Sequence, residues 1–271
     1  MIATAIEQIQ REGMSVSLEH LSLERIIKAS GVSRATAYRH WPTKTDFLAE
    51  VLVAVMRSTR LEGETQEEVA NLREFLEAER AASHTEQGRR DLVVEGFRRS
   101  VDADFRKVLG SPQWRTYLAL GATCRGLPEG QLRTEVETAL AQAERTFTAH
   151  RAQVYARLPV LLGYRLVPPL AGDTGFTLMA EATGAMMTGL VVRALARPEL
   201  VTQTLATAPY GSSRVADWTQ PQLHLVGVIL GHLEPDPDVA WDESYLPTAL
   251  AQLEVIASAL EASRAEPTYR P

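Results

Sequence analysis

Between Gly31 and Thr45 the chain sets hydrogen-bond donors at helical spacing and carries no carboxylate: Arg34, Thr36, Tyr38, Arg39, His40 and Lys44. These side chains suit a polyanion whose bases are to be read. An arginine can make two hydrogen bonds to guanine O6 and N7, while hydroxyls and lysine reach phosphate oxygens. At about 100° per residue, Ala35, Thr36, Tyr38 and Arg39 spread over one arc of a short helix, with His40 at its margin. Ala37 and Trp41 point the other way. Small residues on the outward arc permit close approach to a groove. Lys44, with the first amides of the helix after Pro42, stands where a phosphate can dock. Any surface helix carries a polar outer face, so spacing alone leaves a plain structural corner equally open.

Enzymatic chemistry finds little footing. The chain has no GxxxxGK[ST] loop, no HExxH, no GxSxG elbow and no CxxC. Its histidines, at 20, 40, 84, 150, 224 and 232, are scattered without metal-ligand spacing. No metal and no cofactor is expected, and the protein is not expected to be an enzyme. Cys124 is the single cysteine, so no internal disulfide can form. Arg125 beside it could favour a thiolate, although a lone helical cysteine is more often packing.

The elements that must position these donors are legible nearby. Ser22 is placed to cap a helix over residues 23–29 whose inward side is Leu23, Ile26 and Ile27. Gly31 supplies the left-handed backbone that stops it, Val32 plugs the turn, and Ser33 caps a second helix, Arg34–His40. Two helices joined by a three-residue turn containing glycine describe a helix-turn-helix. Thr43, with Asp46 three residues on, resembles a capping box ahead of the apolar stripe Phe47, Leu48, Val51, Leu52, Val55 and Met56.

Periodicity predicts further helices over residues 2–11, 65–83, 89–109, 112–125, 129–158, 174–196, 199–208, 221–232 and 244–263, broken at Gly and Pro. No strand ladder is expected. The fold class is therefore all-α: a helix-turn-helix module within residues 1–60, then a larger helical domain over 61–271.

With 271 residues, 45% of them hydrophobic, the chain can bury a substantial core, which excludes a disordered polymer. The net charge of −6 argues against coating nucleic acid. Its distribution is uneven: residues 1–60 carry 8 Lys+Arg against 6 Asp+Glu, and the remainder 20 against 28. Glu7 and Glu12 interrupt any apolar leader, and the most apolar stretch, 178–195, contains Glu181 and Arg193. No membrane association is expected, and the expected location is the cytoplasm.

Residues 22 to about 52 resemble the N-terminal module of TetR-family transcriptional regulators. The likeness lies in Gly31-Val32-Ser33, then Thr36, Tyr38, His40, an aromatic at Trp41, Pro42, Lys44 and the apolar helix that follows. The resemblance implies a two-domain helical homodimer that binds a palindromic double-stranded operator, usually represses, and holds a small-molecule effector in its C-terminal part. It further implies that Thr36, Tyr38, His40 and Lys44 contact the DNA backbone. Ala35 and Arg39 are the candidates for base readout, Arg34 suits either job, and Ser22 and Ser33 cap helices near phosphates. Departures are the missing basic arm, a long connection from Gly13 to Ser22, and Ala37 paired with an outsized Trp41. The large indole is expected to fill volume left by the small Ala37.

Phe97, Trp114, Tyr117, Phe147, Tyr155 and Met179 are large enough to line an effector cavity. Arg89-Arg90 and Arg98-Arg99 could meet an acidic ligand, with solvated helix faces the commoner reason for such pairs. Ala180, Gly184 and Thr188 form a row of small side chains at four-residue spacing beside Met187 and Val191, expected to form the dimer face with the last helix, with ordinary intrachain core packing the alternative. The competing reading is a helical small-molecule-binding protein or enzyme whose helix-turn-helix is only structural.

Overall fold

Gly31 leaves its helix with φ of 69°, and Ser22 and Ser33 accept backbone N–H bonds from Arg25 and Thr36, so the helix-turn-helix forms from the local signals its sequence carries. The computed structural model describes residues 1–12, 21–58, 65–157, 161–241 and 245–265. The connection at 13–20 falls outside the described residues. Eleven α-helices run through the described part: α1 (Ile2–Glu12), α2 (Leu23–Ser30), α3 (Arg34–His40), α4 (Lys44–Ser58), α5 (Gln66–Ala78), α6 (Glu86–Gly110), α7 (Pro112–Gly126), α8 (Gln131–Tyr155), α9 (Gly172–Ala196), α10 (Gln220–Gly231) and α11 (Tyr245–Ala265). The all-α expectation holds.

By packing, the chain divides into two units. The first joins Met1–Glu62 with Leu109–Phe147, and the second joins Gly63–Val108 with Thr148–Pro271. Chain order alone suggested a division after residue 60. Segment 109–147 shares the first unit's core because Leu120, Cys124 and Val136 bury their side chains with Ile9, Ile26, Ala37, Phe47 and Val51. Each fully buried aliphatic of this kind is worth roughly 1.5–3 kcal/mol.

In the second unit, α11 packs on α5 and α9 on α10. Leu92, Leu161, Leu246, Ala249 and Leu253 are buried together in its core. α9 is, among the described residues, long and apolar enough to cross a membrane by length and hydropathy. Met179, Ala180, Met187 and Val191 show why: they are inside the fold, between 0% and 3% exposed.

Two short antiparallel ladders correct the expectation of no strands. β1 (Tyr164–Leu166) pairs with β4 (Leu233–Pro235), and β2 (Thr204–Thr207) with β3 (Ala216–Thr219). The helix expected over 199–208 is instead a 3-10 turn, Pro198–Val201, followed by β2. Thr202, Thr204 and Thr207 are β-branched, which suits an extended chain better than a helix.

The β2–β3 loop is fastened to α6. Buried Asp91 accepts from Gln87 Nε2, Ser212 Oγ, Ser213 N and Ser213 Oγ, at 2.6–3.0 Å. Arg90 Nε donates to the Tyr210 carbonyl at 2.7 Å, and the Tyr210 hydroxyl donates to the Leu223 carbonyl. Tyr210 takes a positive φ of 59° here, unusual for a bulky residue. The Arg90 guanidinium is therefore spent on the loop rather than offered to a ligand.

Candidate nucleic-acid interface and inner cavity

The seven-residue helix α3 turns Ala37 inward, 1% exposed, and leaves Arg34, Ala35, Thr36, Tyr38, Arg39 and His40 exposed. This is the division the helical wheel predicts. The Ser33 hydroxyl accepts from Thr36 N at 3.1 Å and shares a hydrogen bond with Thr36 Oγ1 at 2.9 Å. Ser22 is half-buried and engaged with Arg25 N. Both serines thus act as caps, each satisfying an N–H that a helix start would leave unpaired.

Trp41 lies at the edge of the first unit's core, ring to edge with Phe47 at 5.1 Å. Thr43 and Asp46 form the expected capping box. Thr43 N donates to Asp46 Oδ2 at 3.0 Å, and Asp46 N donates to Thr43 Oγ1 at 3.1 Å. That start fixes exposed Lys44 in the first turn of α4, on the chain directly after α3.

Two carboxylates that the segment 31–45 itself lacks reach it from neighbouring helices. Glu24 of α2 forms an ion pair with Arg34 and accepts from the Tyr38 hydroxyl at 3.0 Å. The Arg34 hydrogen bond, then that of Tyr38, holds the Glu24 carboxyl below its usual range, and the same contact pushes the Tyr38 phenol up. Glu50 of α4 accepts from Trp41 Nε1 at 2.7 Å and lies 3.9 Å from His40 Nε2. A reading confined to segment 31–45 could not find them, because both partners are ten or more residues from the arginine or within the next helix. Glu50 could have been sought nine residues after Trp41, one step beyond the capping box.

The second unit encloses a cavity of about 250 Å³. Of the six side chains expected to line it, Phe97 and Tyr155 do. Met179 is fully buried elsewhere in the core. Trp114, Tyr117 and Phe147 belong to the first unit, where Trp114 meets Phe147 at 5.2 Å and Tyr117 at 5.7 Å, edge to face. They are a packing cluster, and burial together with a 2.7 Å bond to Glu144 pushes the Tyr117 phenol up. Large size marked core positions but could not say which core.

The arginine pairs are engaged within the chain. Arg98 and Arg99 both hydrogen-bond Glu95 at 2.7 Å, and Arg89 lies over the Trp241 ring. Burial pushes the Glu95 carboxyl up, but those arginine bonds outweigh it and hold it low. Cys124 is buried, and burial pushes its thiol up, against a resting thiolate. Among the described residues no three His, Cys, Asp or Glu side chains group as a metal site.

On α9, Ala180, Met187 and Val191 are buried in the chain's own core, while Gly184 and Thr188 are half-buried. The first three therefore face the protomer's own interior, the packing alternative for this helix. A helix this apolar hides which of its faces is inward. The open face instead carries Leu178, Ala185, Gly189, Val192 and Leu195.

A capped helix-turn-helix that presents Thr36, Tyr38, Arg39 and His40 to solvent is the reading head of a DNA-binding transcriptional regulator. Comparison agrees for this segment: residues 1–51 match the model of bacterial regulatory proteins, tetR family, so the N-terminal fifth of the chain is similar to that family's DNA-binding module. Comparison with curated proteins returned no match, and comparison with solved structures returned none.

Proposed function

We propose that the chain is a ligand-responsive repressor that binds a palindromic operator as a homodimer in the cytoplasm. The observation that carries the reading is the outward face of α3, with Arg39 exposed over a buried Ala37. Each protomer offers α3 to one major groove, and two-fold symmetry spaces the grooves about 34 Å apart. Arg39 reads a base, Ala35 permits close approach, and Thr36, Tyr38, His40 and Lys44 hold phosphates, with Arg34 serving either end. The open face of α9, where Leu178, Ala185, Val192 and Leu195 flank exposed Glu181, supports pairing with a second copy. The cavity supports an effector that biases the two heads between a DNA-binding and a non-binding spacing, to the extent that it prefers one of them.

Selection of bound duplexes from random DNA tests the reading. An enriched inverted repeat with half-sites one helical turn apart is the expected result. Absence of any enrichment, with the protein folded, would return the helix-turn-helix to a structural role.

A further inference from the structure

We infer that the cavity takes an electrically neutral, mainly apolar ligand whose single polar end, if it has one, faces the rim at Ser100 and Gln153. The inference rests on the reading of the second unit as an effector domain. Its ground is the way charges in the cavity wall cancel. Glu68, Lys107, Asp104 and Arg151 form one chain: Lys107 Nζ lies 2.8 Å from Glu68 Oε1 and 3.5 Å from Asp104 Oδ1, and Arg151 Nη2 donates to Asp104 Oδ2 at 2.8 Å. Two cations meet two anions. Arg151 is only 5% exposed, so an anionic ligand that took it from Asp104 would leave that half-buried carboxylate with Lys107 alone.

The uncharged donors inside are also spent. Tyr155 donates to Thr183 Oγ1 at 3.0 Å, and Thr183 Oγ1 donates to the Met179 carbonyl at 2.9 Å. Burial pushes the Tyr155 phenol up, so it stays protonated in that role. Most of the remaining wall is apolar, with Leu72, Val93, Phe97, Met187 and Leu253 among it, and Ser100, Gln153, Trp241 and Tyr245 add polar atoms. His150 and Arg157 border the cavity but are partly exposed, where water screens their charge. A charged ligand would lose its hydration and, among the described residues, would meet Glu68, Asp104 and Arg151 already held in ion pairs, with Arg151 Nε left as a buried N–H that a neutral acceptor can satisfy.

The test uses the full-length protein with the small neutral dye 1-aminoanthracene, displaced by octan-1-ol, octanoate or octylammonium. These three share a chain and differ in charge. Displacement by the alcohol at a concentration at least tenfold below either ion is expected. Equal or tighter competition by octanoate or by octylammonium, or no binding by dye and alcohol alike, would overturn the inference. Ser100→Trp at the exposed rim and Ala249→Trp in the wall should both abolish dye binding. Ser100→Trp keeps this arm decisive if Ala249→Trp does not fold, and dye binding retained by folded Ser100→Trp would overturn the assignment to this cavity. DNA release is read separately: alcohol bound with DNA still held leaves the inference standing and removes the ligand-responsive reading.

Discussion

The Tyr38 hydroxyl donates to Glu24 Oε1 across 3.0 Å, so a side chain on the outward arc of α3 is tied to a carboxylate on α2. The same carboxylate holds Arg34. A phosphate approaching either group must displace Glu24 and meet its charge. Glu24→Gln should therefore tighten binding to a random duplex several-fold and steepen its salt dependence, because released Arg34 can replace a DNA counter-ion. Fluorescence anisotropy at low and moderate salt reads both. Weaker binding would mean that Glu24 orients the two side chains rather than competing for them.

Backbone and base contacts separate by their sequence dependence. Tyr38→Ala and Lys44→Ala should weaken binding to all duplexes in proportion, whereas Arg39→Ala should cost about 1–3 kcal/mol at one operator position and relax the preference there. Binding measured across a randomised operator library distinguishes them. A uniform loss from Arg39→Ala would remove it as the base reader.

How far the sequence alone reached follows the range of its signals. The caps at Ser22, Ser33 and Thr43 and the left-handed Gly31 act within three or four residues, and each is found where its spacing predicts. Glu24 escaped because its partners lie on the following helix and depend on how α2 and α3 cross. Trp114 and Phe147 escaped for a similar reason: apolar size predicts burial without saying which unit's core receives it. α9 is apolar on nearly every side, so its inward face was set by packing on α10 rather than by periodicity.

Trp41 offers a test of the first unit's packing. Its indole rests on Phe47 and donates to Glu50 at 2.7 Å. Trp41→Phe loses both volume and that hydrogen bond, and should cost about 1–2 kcal/mol in denaturant unfolding. An unchanged midpoint would show that the large side chain compensates for nothing at Ala37.

Asp91 should give the β2–β3 loop an acid-sensitive fastening. Burial pushes its carboxyl up, but the bonds from Ser213, Gln87 and Ser212 outweigh burial and hold its folded pKa low. A lowered folded pKa means stability present above the free value of about 3.9 and lost as pH falls through the folded one. Asp91→Ala should cost about 1–3 kcal/mol at neutral pH. The gap between the two melting temperatures should close on acidification below about pH 4. A gap that stays constant through that range would show the carboxylate's charge to be irrelevant to the loop.

Val192 and Met187 lie on the same helix five residues apart, one 50% exposed and the other 1%. If α9 pairs with a second copy through its open face, Val192→Glu places two like charges in an apolar contact and should yield a folded monomer by light scattering. Met187→Glu buries that charge in the protomer's own core and should unfold it instead. The monomer should also lose most operator affinity while retaining the weak binding of one head, because linkage of two half-sites multiplies affinity without any new contact. A Val192→Glu protein that remains dimeric would move the interface off α9, and a monomeric wild type would remove the paired-head account altogether.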